Sequence, residues 1–152
     1  MYNLRNPEQS ICIVIDNDET TIPDSIDIND IKEYIENEYM TVSFAQRLTG
    51  YMDKKNLSSK DIYTRSFIDR KLLHKIISNK TYHPSKKTAF ALCVALQLDY
   101  QQSVELLGLA SYTFAPNNAY DLIFQFVLEE GIYDLDTINE FLYFYHLPCL
   151  GE

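Results

Sequence analysis

From residue 88 to residue 152 the sequence contains no lysine and no arginine. Cysteine is scarce as well. Cys12, Cys93 and Cys149 stand far apart without a C-x-x-C pair, which excludes a disulfide framework and a zinc knuckle. Free buried thiols in a reducing cytoplasm are the expectation. The histidines, His74, His83 and His146, form no H-E-x-x-H pair, so no metal site is expected. No apolar run approaches the roughly 20 residues that cross a bilayer. The opening MYNLRNPEQSICIVI has a short apolar run but no small-residue cleavage pattern, so neither a signal peptide nor an anchor is expected and the localisation reads as cytoplasmic. The DNDET run lacks the glycine and distal glutamate of an EF-hand, and a solvated turn is expected there. Repeats and low-complexity tracts are absent. Carboxylates are plentiful, yet no nucleophile–base pair or metal-ligand spacing accompanies them, so the chain reads as a non-enzyme without a cofactor.

What is present is a sharp division of charge. The formal net charge is −9, but residues 56–90 hold eight bases against two acids, while residues 1–55 hold five bases against eleven acids. Within residues 64–87, TRSFIDRKLLHKIISNKTYHPSKK, seven of 24 residues are Lys or Arg and one is an acid. Hydrophobic residues make up 46% and charged ones 23%, which suits a soluble folded chain rather than a disordered one. The sequence is therefore a charge dipole wrapped around an ordinary core.

Periodicity predicts an all-α fold in three parts. Residues 1–40 form an acidic N-terminal flank, a short strand at ICIVI followed by an amphipathic helix in which Ile28, Ile31, Ile35 and Tyr39 recur at helical spacing. Residues 41–113 read as five short helices. Ser43 caps the first, with Phe44, Leu48 and Met52 inward. Ser58 and Asp61 form a capping box on the second, and the third runs from Asp69 to about Ser78. Pro84-Ser85 opens the fourth, with an apolar stripe of Ala89, Leu92, Cys93 and Leu96. Asp99 and Gln102 open the fifth, with Val104, Leu107 and Leu106 facing in. Residues 114–152 form a C-terminal extension of two aromatic-rich helices, separated by Gly131 as a stop and started in the second case by Asp134 and Asp136.

On the third of the five helices, Leu73, Ile76 and Ile77 occupy one side while Arg70, Lys71, His74 and Lys75 share the other. Ser78, Asn79 and Lys80 extend that ridge. Arg and Lys side chains on such a ridge can bridge guanine O6 and N7 or neutralise phosphates. The helix before it begins with Ser58, Ser59 and Lys60, whose free N–H groups suit a phosphate.

In this order of elements, LSSKDIYTRSFIDRKLLHKIISNKTYHPSKKTAFALCVALQLDYQQSVELLGLA resembles the phage-repressor-like (XRE-type) helix-turn-helix domain of bacterial and phage transcription regulators. The resemblance implies a double-stranded DNA-binding protein that works as a dimer. It assigns DNA contact to Arg70, Lys71, His74 and Lys75, with Ser78, Asn79 and Lys80 continuing the ridge and Ser58, Ser59 and Lys60 contributing from the second helix. The chain departs from that family at Tyr63, where alanine is usual, and at Phe67, where the turn usually has Gly or Asn. Because a bulky residue is strained at positive φ, the turn is expected to differ from the usual one. Through DRKLLHKIISN, YHPSKKTAFALCVAL, FVLEEGIYDLDTINEFL and LPCLG, residues 56–150 also resemble a C-terminal module that follows macro and other domains in bacterial proteins, which implies that residues 1–40 are either the stub of such a domain or a replacement for it.

Phe124, Phe126, Phe141, Tyr143, Phe144 and Tyr145 are more rings than two short helices usually bury. They are read either as core or as the face of a homodimer or protein partner. The alternative function is accordingly a protein-interaction or antitoxin-like adaptor that keeps the fold without binding DNA.

Overall fold

A computed structural model describes residues 26–39 and 42–151. Among the described residues there are eight α-helices and no strand. They fall in two compact units divided after residue 40. The strand expected at residues 11–15 and the DNDET turn lie outside the described residues.

The first unit supplies helix α1 (Ile28–Glu38), opened by a capping box in which Asp27 accepts from the N–H groups of Asn29 and Asp30. None of its residues is buried, and Ile28, Ile31, Ile35 and Tyr39 are exposed along one side.

The second unit contains α2 (Phe44–Lys54), α3 (Ser59–Ser66), α4 (Arg70–Ser78), α5 (Lys86–Ala95), α6 (Tyr100–Leu109), α7 (Ala119–Glu129) and α8 (Leu135–Phe144). Ser43, Ser58 and Asp99 close capping boxes on α2, α3 and α6, while Ser85 and Asp134 cap α5 and α8. Each supplies an oxygen to an otherwise unpaired amide at its helix start.

Helix α5 is the centre of the core. Every residue from Ala89 to Leu96 is buried, which corrects the single apolar stripe expected for it. The reason is its position: α3 and α6 both pack on it, and the Phe90 ring stacks on Phe124 of α7 with centroids 4.4 Å apart. Residues on both sides of position 113 thus share one core. Helix α6 corrects a second expectation. Its inward row is Ser103, Leu106, Leu107 and Ala110, at the i, i+3, i+4, i+7 spacing of a helix face, so Val104 falls outside it and is exposed.

One recurrent device ends five of these helices. The N–H groups of Leu57, Leu98, Tyr112, Ile132 and Leu147 donate to the carbonyls of Met52, Cys93, Leu107, Val127 and Leu142. Each bond spans a residue with positive φ, namely Asn56, Gln97, Ser111, Gly131 and His146. These are Schellman closures, completed by an apolar residue that turns back onto the core. Only one uses glycine, in a chain with four. The extension is fastened further by polar bonds. Asp121, 1% exposed, pairs with Lys86 and accepts from the N–H of Ala115 at 2.8 Å. Tyr133 donates to the Leu98 carbonyl at 2.9 Å.

Two stability changes are expected in urea unfolding. Gln97→Gly removes the left-handed penalty of a side chain and should stabilise by up to about 1 kcal/mol, since the gain exceeds the extra chain entropy of glycine. Asp121→Ala strands a buried N–H and an ammonium group and should destabilise by about 2 kcal/mol.

Candidate nucleic-acid interface

The buried side of α4 is Leu73 and Ile76, with Leu72 and Ile77 half-buried beside them. That anchoring, against α2 and α3, turns Arg70, Lys71, His74 and Lys75 outward, and all four are exposed. Asp69 caps the helix by accepting from Lys71 and Leu72 N–H groups at 2.8 Å and 3.3 Å. Its charge is thereby engaged at the helix start, where it favours the dipole. Lys75 lies over the Tyr82 ring, 4.7 Å from its centroid, which steadies one cation of the ridge.

Ser78, Asn79 and Lys80 are exposed at the end of α4. The Ser78 hydroxyl donates to the His74 carbonyl at 2.6 Å, leaving its oxygen as an acceptor. The Asn79 side-chain carbonyl accepts from both the N–H and the hydroxyl of Thr81, so only its amide donors point away. The ridge is consequently dominated by donors.

At the start of α3, Ser58, Ser59 and Lys60 are exposed. Ser58 is less available than its sequence position suggests. Its N–H and its hydroxyl both donate to the Asp61 carboxylate, at 2.8 Å and 2.6 Å, while Asp61 N–H donates back to the hydroxyl. The next two amides, of Ser59 and Lys60, precede the first intrahelical donor and face the helix entrance. The Ser58 hydrogen bonds hold the Asp61 carboxyl below its ordinary 3.8. Arg65, in the last turn of α3, is a further exposed cation that the helix-turn-helix resemblance did not single out.

Helices α3 and α4 are in contact and joined by residues 67–69. Phe67 has φ 54° and ψ 18°. The phenylalanine thus occupies a left-handed conformation in which a bulky side chain is strained. Not every cation of the basic segment belongs to the ridge. Lys86 is half-buried against Asp121 and Lys87 is half-buried on α5, so the segment's charge serves the core as well as the surface.

Burial pushes the Cys93 thiol up to about 12, and Cys149 is free and half-buried, while Cys12 lies outside the described residues. Among the described residues no three His, Cys, Asp or Glu side chains converge on a cation position. No described helix is long and apolar enough to cross a membrane. No protein-family model matches the chain, and no curated protein or solved structure matches it either.

The α3 cap gives a pH prediction. A carboxyl held below its unfolded value contributes stability above about pH 3.8 and loses it as the pH falls through the folded value. In an NMR titration the Ser58 amide should therefore shift with a midpoint below 3.8, and Asp61→Asn should abolish that transition.

Proposed function

We propose that this protein binds double-stranded DNA through a repressor-like helix-turn-helix, with α2–α6 as its five helices, α3 and α4 as the crossed pair and α4 as the helix that enters the major groove. One observation carries the reading. The cations and donors of α4 are exposed together on the side opposite Leu73 and Ile76, on a helix in contact with α3. On this reading Arg70, Lys71, His74 and Lys75 would meet base edges and phosphates, with Lys80 and the Asn79 amide following the strand. The Ser59 and Lys60 amides would seat one phosphate. Regulation of transcription is the role that fits such a module.

A second reading, a protein-interaction module, is favoured by a different observation. Phe126, Tyr143, Phe144 and Tyr145 are all exposed, Tyr143 and Phe144 at 76% each. Phe124 is core and Phe141 is half-buried, so the aromatic helices divide between packing and surface. Aromatic side chains on a surface mark interface centres. The two readings join if this patch pairs two copies on half-sites one helical turn apart.

Binding to mixed-sequence duplex should weaken with salt, with a log–log slope of about −0.9 for each phosphate neutralised. Changing Arg70 and Lys75 together to Ala should reduce affinity at least tenfold and flatten that slope by nearly two phosphates, with helical circular dichroism unchanged. Absence of binding at low salt, with self-association or partner binding lost in Phe144→Ser, would favour the interaction module. Sedimentation velocity with and without duplex distinguishes the outcomes.

A further inference from the structure

We infer that residues 147–151 are a brace that holds Phe67 in its left-handed conformation and so fixes how α4 leaves α3. The left-handed residues Asn56, Gln97, Ser111 and His146 are each secured by a Schellman bond from the residue that follows. Phe67 has no such bond among the described residues. The Ile68 N–H instead donates to Ser66 Oγ at 3.3 Å, a hydroxyl that itself donates to the Ile62 carbonyl at 2.6 Å. The bulkiest of the left-handed side chains thus sits where the local backbone support is weakest.

Support comes from Leu150 and Gly151. Asn139 of α8 grips Leu150 at both polar groups: Leu150 N–H donates to Oδ1 at 2.7 Å, and Nδ2 donates to the Leu150 carbonyl at 3.1 Å. The Leu150 side chain is buried in the core. Gly151 then turns with φ 86°, and its Cα lies against Phe67 so closely that a Cβ would stand 3.0 Å from Phe67 Cβ and 3.1 Å from Cδ2. A side chain there would be strained at this positive φ and would press on Phe67, which would have to give by a few tenths of an ångström. Phe67, Asn139, Leu150 and Gly151 also line one shallow cleft with Asp136 and Tyr143. A residue held in a sparsely populated conformation persists only where its surroundings determine it, and here those surroundings are the tail.

The consequence for DNA rests on the function proposed above; the brace itself does not. Hydrogen exchange in the absence of DNA tests it directly. Gly151→Val, at the chain end, and Asn139→Ala should each speed exchange of the α4 amides about tenfold while the α5 amides stay unchanged. In a Phe67→Gly background, where the turn is free of side-chain strain, the same two changes should leave α4 exchange within about twofold. Unaltered α4 exchange in both single variants, or equal acceleration with and without Phe67, would overturn the brace. Where duplex binding is measured, the single variants should lose affinity in proportion to the faster exchange without changing the salt slope, because the ridge cations remain. A parent chain that binds no duplex would remove the proposed function yet leave the exchange result to decide the brace.

Discussion

Helix α5 is buried on all sides from Ala89 to Leu96, and that single constraint organises the second unit. An all-round apolar helix must be covered by neighbours, because each buried aliphatic side chain is worth about 1.5–3 kcal/mol only while water is kept away. Helices α3 and α6 cover it directly, and α7 reaches it through the stacking of Phe124 on Phe90. Charge is consequently excluded from α5 beyond Lys87. The two lysines that open it lie at its rim, one of them bound to the buried carboxylate of Asp121.

That burial sorts the cations into two populations. Those on α5 approach the core and are absorbed by it, whereas those on α4 are turned away from it by Leu73 and Ile76. The two acids of residues 56–90 are both engaged at helix starts, where the helix dipole favours their charge. Asp69 is held by Lys71 and Leu72 amides, and Asp61 by Ser58. A local field at physiological salt is set by charges within about 8 Å, so the ridge retains its positive character despite a formal charge of −9 on the whole chain.

Much of this was legible in the sequence because caps are local. Ser43, Ser58, Ser85, Asp99 and Asp134 each announce a helix start through one oxygen and one nearby amide. The separation of Arg70 and His74 from Leu73 and Ile76 follows from the helical period alone. What could not be read is tertiary. The all-round burial of α5 depends on how many neighbours reach it, and the outward turn of Val104 depends on Ser103 taking the inward row. The double engagement of Ser58 could have been found, since a capping box implies that its amide is occupied. The left-handed Phe67 could not, since its support lies more than 80 positions away in the chain. Periodicity does separate Phe124, which joins Asp121, Val127 and Leu128 on the inward row, from Phe126 two residues later on the other side.

Helix α8, which holds Leu150 through Asn139, also alters the electrostatics beside Phe67. Asp136 and Glu140 of α8 line the same cleft as Phe67, so the sign of the surface changes across the turn between α3 and α4. A phosphate approaching α4 from its cationic side meets Arg70, Lys71 and Lys75, whereas one approaching from the cleft meets two carboxylates. Like charges opposed in this way cost binding energy and discriminate between orientations. The C-terminal extension therefore makes the cleft side of the turn acidic, while the cations of α4 lie on that helix's exposed side. An acidic chain can thereby present a restricted cationic face, with the restriction built from the same helix that holds the turn in shape.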